Sequence, residues 1–213
     1  MRLYAKFGMA FLALSVALYA AFAYGFRPLG AFVHPAMKVV FANHHVAIYV
    51  HVFASLFALI TGPFQFSARL RKRHLRVHRW SGRGYLTIGV LIGGLSGLYM
   101  AQFAFGGLPS RAGFTLLALC WLVTGLLGYL AVRRGDIDGH RRWMVRNFAL
   151  TFAAVTLRID LGLFFAAGLQ FQDFYPWVAW LCWVPNLLVA EWLLGSRPAG
   201  LLGTPTPHIG DAR

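Results

Sequence analysis

The sequence predicts an all-α, polytopic membrane protein, a bundle of six transmembrane helices with both termini cytoplasmic. Three observations predict it. The 213-residue chain is 59% hydrophobic and 12% charged, where a soluble domain carries about 25% charged residues. Its apolar residues gather into six long stretches, and its basic residues gather almost wholly in the loops of one side. At about 20 residues per span, six spans leave almost nothing for an extramembrane domain, so any chemistry sits in the bundle or in short loops. The mean hydropathy of +0.62 excludes a disordered chain, a secreted disulfide scaffold and an ordinary soluble globule.

The spans fall at about 4–26, 43–66, 84–106, 112–132, 144–168 and 174–195. The first opens with Arg2 and Lys6 and runs apolar from Phe7 to Phe26. That run exceeds the usual signal-peptide core of about 7–15 residues, so it reads as a retained span, although Ala21-Phe22-Ala23 offers a cleavage site. The segment from Arg27 to Ala42 holds Pro28, Gly30, Pro35 and an amphipathic piece from Met37 to Val40. Span three carries Gly89, Gly93 and Gly97 at intervals of four, with Ala101 one step on. Such a small-residue face admits a neighbouring helix, and a flat cofactor would suit it too. Cys120 and Cys182 lie inside apolar runs without CxxC or metal spacing and read as packing residues. Residues 1–195 read as a single transmembrane domain. Residues 196–213, with Pro198, Pro205, Pro207 and Gly210, read as a disordered tail in which His208 is incidental.

Loop charge sets the orientation. Residues 67–83 carry seven basic groups and no acid, and residues 133–146 carry Arg133, Arg134, Arg141, Arg142 and Arg146 against Asp136 and Asp138. With Arg2, Lys6, Arg197 and Arg213, sixteen basic residues lie on one side; Arg27, Lys38 and Arg111 lie on the other. The positive-inside rule places the rich side in the cytoplasm, against anionic headgroups. The net charge of +14 therefore points to lipid. With no zinc-finger spacing or RNP-like motif, nucleic acid is not an expected partner.

Two segments echo one another. His78-Arg79-Trp80 with Arg83, and His140-Arg141-Arg142-Trp143 with Arg146, each precede an apolar span. Spans two and three then read as a hairpin repeated in spans four and five. Either way, two histidines and several arginines meet on one membrane face.

Ionisable residues inside a span cost at least about 2.5 kcal/mol near the centre, so each marks a candidate site. Counting depth at 1.5 Å per residue gives two groups. The outer one is His51, Arg158 and Asp160, with His44 nearer the surface and Ser55 deeper on the His51 stripe. It reads as a polar pocket open to the outer side, or as an Arg158–Asp160 pair satisfied across helices with His51 as hydrogen-bond partner. The inner one is His78, Arg79, Arg83, His140, Arg146 and Glu191, with Asn186 after Pro185 able to bond into the bundle. It reads as a fold-locking ion pair of Glu191 with Arg146 or Arg83, or as a site for an anionic headgroup, a quinone or haem propionates.

Several of these residues carry a resemblance. Gly62-Pro63-Phe64-Gln65-Phe66, Arg71, His74, His78-Arg79, Gly82-Arg83 and Tyr85, then Gly139-His140, Trp143-Met144, Arg146, Arg158, Asn186 and Glu191, resemble the bacterial membrane family labelled DUF2306 over most of residues 40–195. The resemblance implies a multi-pass protein of the bacterial cytoplasmic membrane and supplies no reaction. The chain is also similar, more weakly, to cytochrome b561-type bundles, which implies haem b held by histidines on neighbouring helices. His78 and His140 are the pair that would face one another, and they would be metal ligands only with haem bound.

Three function classes follow. One is a small haem b- or quinone-binding electron-transfer protein, with Arg79, Arg83, Arg141 or Arg146 holding propionates. The second is a transporter or lipid-binding protein built on the outer pocket. The third is a structural or assembly subunit without cofactor, working with another membrane subunit. Hydrolysis has no support, since GxSxG, HExxH and phosphate-loop motifs are absent. Asp136 and Asp138 read as a helix-start cluster.

Overall fold

The computed structural model describes residues 3–195. The segment expected to be a disordered tail, 196–213, lies outside the described residues, as do Arg2, Arg197 and Arg213 of the charge count. The described residues are mostly helical, without strands: α1 (Leu3–Gly25), α2 (Pro35–Asn43), α3 (His45–Gln65), α4 (Ala68–Arg73), α5 (Leu75–Gly84), a π-helical segment (Tyr85–Ile92), α6 (Gly93–Ala101), α7 (Gly107–Arg133), α8 (Ile137–Thr151), α9 (Ala153–Ala166), α10 (Phe171–Leu181) and α11 (Val184–Gly195). They make six rods long and apolar enough to cross a bilayer: α1, α3, α5–π–α6, α7, α8–α9 and α10–α11.

Some boundaries differ from the hydropathy reading, for physical reasons. Span three begins at Leu75, well before residue 84. The stretch Leu75–Gly84 alternates arginines with apolar residues, and arginine is a good helix former whose stem lies along apolar surface while its head stays in water. Hydropathy registers only the charge. The same span ends at Ala101, because residues 102–106 turn back and Gly106 (φ 90°) and Gly107 (φ 72°) need left-handed backbone. Span six is interrupted at Cys182–Trp183, just before Pro185, which has no N–H to continue the ladder. Span five is interrupted at Phe152. The two interruptions are stitched by one side chain. Asn186 Nδ2 donates to the carbonyl of Cys182 (2.9 Å) and to that of Ala149 (3.3 Å).

The glycine stripe of span three is covered by a helix. A Cβ on Gly89 would meet Ala58 Cβ at 2.6 Å and its Cα at 3.1 Å, and one on Gly97 would meet the His51 ring at 2.8 Å. The stripe is thus the contact with α3, which a cofactor cannot share. Ala58, Tyr85, Val90, Trp121, Phe148 and Leu150 fill the middle of the bundle. Phe171, Phe174, Tyr175 and Val178, with Phe105, Phe114 and Phe164 against them, close the end opposite the basic loops. Helix α1 packs on α3 and α9 through Ala13 and Ala17. Large exposed side chains such as Phe11 and Leu18 remain for lipid.

Candidate functional site

Polar groups in the bundle form three sets. The central set is a closed network. Tyr85 Oη donates to Asn147 Oδ1 (2.8 Å) and lies 2.7 Å from Thr151 Oγ1. Trp121 Nε1 donates to Thr151 Oγ1 (2.9 Å). Asn147 Nδ2 donates to the Trp121 carbonyl (2.7 Å) and to Thr124 Oγ1 (2.9 Å). Asn147 is fully buried and Tyr85 is 1% exposed. The network ties the π-helical segment, α7 and α8 together, and it leaves no buried donor without a partner.

The outer set is the opposite case. His51 Nδ1 lies 2.8 Å from the Gly93 carbonyl. A carbonyl can only accept, so Nδ1 carries the proton and Nε2 keeps its lone pair. Ser96 Oγ donates to the Ile92 carbonyl at 2.7 Å, with the Gly93 carbonyl a longer 3.1 Å away. Arg158 lies about 12 Å in from the end of α9. Its Nη1 donates to the carbonyl of Ala154 on its own helix (2.7 Å), while its Nε is buried without a partner. The described residues form two ion pairs, Arg141–Asp138 and Arg146–Glu191, and Arg158 is in neither. Around it, within electrostatic reach, stand Tyr24 and Tyr19 of α1 and His51 of α3. Asp160 lies on the side of span six, within reach of Cys182, and its Oδ2 is also buried without a partner. The Arg158–Asp160 pair, one of the two readings of this group, is not formed. Two residues apart, the groups point to opposite sides of one helix, and His51 bonds to backbone instead of joining them. Ser55 Oγ, one turn inward from His51, is a third buried atom without a hydrogen bond.

The set at the basic face mixes the two behaviours. Arg146 grips Glu191 bidentately, through Nε to Oε1 and Nη2 to Oε2 (2.8 Å). Arg83 stacks over Trp80 (4.9 Å) and Arg146 over Trp143 (4.8 Å), so the echoed motifs adopt the same local geometry. Arg71 Nη1 donates to the Gln65 carbonyl (3.1 Å), and Gln65 Nε2 to Ser81 Oγ (2.7 Å). His140 Nδ1 lies 2.8 Å from the Gly128 carbonyl and therefore donates, leaving Nε2 with a lone pair. His78 Nδ1 is buried without a partner and lies within electrostatic reach of His140. Arg79 is exposed. Asp136 caps α8 by accepting from Gly139 N (2.8 Å). Among the described residues, no cluster of three or more His, Cys, Asp or Glu residues could hold a metal ion.

Among the described residues the surface carries shallow, open depressions. One, of about 350 Å³, is lined by Asn43, His44, His45, Val50, Ser96 and Tyr99 at the ends of α3 and α6 away from the basic loops. His44 Nδ1 bonds Tyr99 Oη at its rim (2.9 Å). The other, of about 400 Å³, is a tryptophan-lined groove at the break in span six. Neither includes His78 or His140.

The structure therefore pairs Arg146 with Glu191, places His51 within electrostatic reach of Arg158 and His78 within electrostatic reach of His140, and leaves Arg158 and Asp160 unpaired with one another. The sequence reading missed the central network. An amide at 147 with a hydroxyl at 151, one turn apart in an apolar span, was the available signal.

No curated protein and no solved structure matches the chain. The family described as "Predicted membrane protein (DUF2306)" matches residues 48–194, a stretch that holds all three polar sets. The chain belongs to that family of predicted membrane proteins.

Proposed function

We propose that this protein binds a lipid-soluble ligand with an anionic or carbonyl head through Arg158, in the half of the bundle opposite the basic loops. Its setting is the bacterial cytoplasmic membrane, with the basic loops and both termini on the cytoplasmic side and the arginine rim against anionic headgroups. One observation carries the reading: a guanidinium inside a span with a buried Nε–H, no carboxylate in bonding distance, and a single bond to its own helix. An uncompensated charge there costs several kcal/mol. A carboxylate, a phosphate or sulfate head, or the carbonyls of a membrane quinone would supply the missing acceptor. Tyr24 and His51 stand beside it as further hydrogen-bonding groups.

The test is mass spectrometry of the protein purified in mild detergent, free and after lipid extraction. Wild type should retain an amphiphile that Arg158→Leu loses and Arg158→Lys keeps in part. Equal retention in Arg158→Leu, or none in wild type, would sink the proposal.

A second reading, haem b held by His78 and His140, is favoured by one observation. The His140 Nδ1–H bond to a backbone carbonyl is the arrangement that fixes a metal-ligating tautomer, and His78 offers a bare buried nitrogen. Bound there, haem would supply one-electron transfer. A reduced-minus-oxidised haem band lost in His140→Ala supports it; a colourless, folded wild type made with ample haem ends it.

A further inference from the structure

Asp160 is a carboxyl that the Arg158 reading leaves unused. It stands on a stripe of α9 that faces span six. Thr156, one turn toward the basic loops, accepts from Asn186 Nδ2 at 2.9 Å. Phe164, one turn the other way, stacks on Phe174 with 5.0 Å between ring centroids. Positions four apart share a helix face, so Asp160 lies on the same seam. Leu157 and Leu161, on either side of it, pack on the aromatic cluster of span six. Both helices of the seam are interrupted, span five at Phe152 and span six at Cys182–Trp183. Asn186 Nδ2 also donates to the Cys182 carbonyl (2.9 Å). One turn away from the basic loops, from Thr156 along span five and from Asn186 along span six, brings Asp160 level with Cys182. The geometry points to Asp160 as a binding site for a monovalent cation, a proton or Na+, beside the break in span six. The site is independent of the Arg158 reading, because the two groups lie on opposite sides of α9.

Asp160 sits about 9 Å in from the end of α9. Helical side chains lean toward the helix N-terminus, here toward the basic loops, so this short carboxyl is carried deeper into the span. Its Oδ2 is buried without a partner, while the residue as a whole is only partly buried and stays reachable. It belongs to neither ion pair of the described residues. A bare carboxylate at that depth is costly, and a bound cation removes the cost. The break supplies a second favourable element. Helix α10 ends at Leu181, and Pro185 has no N–H for the Leu181 carbonyl. The negative end of that half-helix therefore falls at the level of Asp160. In interrupted spans such C-terminal ends are where Na+ or a proton is held. The titratable groups around the seam are few. Span six presents Tyr175 and Cys182. Helix α2 presents His34, stacked on Phe171 (4.0 Å) at the far end of the seam. Helix α7 packs Phe114 there, which does not titrate. Helix α1 packs on Val155, one turn from Arg158 and on its face.

The probe is dicyclohexylcarbodiimide, an apolar reagent for carboxylic acids, applied to the full chain in nanodiscs and read by peptide mass spectrometry. The carboxyl O–H adds across one C=N bond: oxygen bonds the central carbon and the proton passes to nitrogen. An O-to-N acyl shift then gives a stable N-acylurea, and nothing is released. At about pH 7, where an ordinary aspartate is ionised and inert, the adduct at Asp160 should exceed those at Asp173 and at the Arg146-paired Glu191 by about tenfold or more. The two cations separate cleanly. If Na+ is the ligand, NaCl suppresses the adduct and an equal concentration of KCl does not. If the proton is the ligand, the adduct ignores Na+ and falls as pH is raised from about 6 to about 9. No adduct at Asp160 over that range, or one no larger than at Asp173 and Glu191, would overturn the site. Unfolding gives a second readout, because a cation bound only by the folded protein raises the midpoint. The wild-type midpoint should respond to Na+ or to pH more than that of Asp160→Asn, a neutral side chain of the same shape. Responses to both that are unchanged in Asp160→Asn would overturn the site as well.

Discussion

The central network, of neutral polar side chains, and the outer set, mostly of ionisable ones, lie in one bundle, yet they behave oppositely. Around Asn147, amide, hydroxyl and indole groups satisfy one another within spans three to five. In the outer set, Ser55 Oγ, Arg158 Nε and Asp160 Oδ2 are buried without a partner. Burying a bare polar group costs about as much as folding gains from several good ones, so the fold alone does not account for the outer set. The difference separates polar residues that hold the bundle together from polar residues held ready for something else.

Breaking the network should have the largest effect on stability. Asn147→Leu removes the three side-chain hydrogen bonds that join Tyr85 Oη, Thr124 Oγ1 and the Trp121 carbonyl, leaving Tyr85 Oη with Thr151 and Thr124 Oγ1 with its own helix. The expected loss is about 2–4 kcal/mol, read as a lower midpoint of thermal unfolding in detergent. Gly89→Val comes next, at about 1–3 kcal/mol of overpacking, because the atoms in its way include the Ala58 backbone. A disulfide-trapping assay between α3 and span three should register the two helices moving apart. Glu191→Gln is smaller, at about 1 kcal/mol or less, since the carboxylate is half exposed. Its midpoint should also become less sensitive to salt than that of wild type. Arg158→Leu should be the outlier. With no protein partner to strand, its unfolding midpoint should equal or exceed that of lipid-extracted wild type, where ligand stabilisation no longer enters.

How much of this was legible in the sequence depended on what each feature leaves in the residue pattern. Six spans are legible because a bilayer demands long apolar runs. The Arg146–Glu191 pair is legible from depth counting, since opposite charges at one level of adjacent spans have few alternatives. The start of span three at Leu75 is hidden, because hydropathy scores Arg76, Arg79 and Arg83 as loop. The partner of His51 is hidden too: a backbone carbonyl has no letter in the sequence. So was the fate of the Arg158–Asp160 pair, which turned on which neighbours the two faces of α9 meet. Asn147 and Thr151 are uncharged and sit among leucines and phenylalanines, so they passed as ordinary span residues.

The contrast between the two regions is tested most directly by measuring thermal unfolding and retained amphiphile together on Arg158→Leu, with Asn147→Leu alongside. The account predicts that Arg158→Leu carries no amphiphile and melts at or above the midpoint of lipid-extracted wild type, while Asn147→Leu melts well below it. An Arg158→Leu protein that is destabilised as strongly as Asn147→Leu, yet keeps the wild-type complement of bound lipid, would show Arg158 to be another structural residue and would contradict the account.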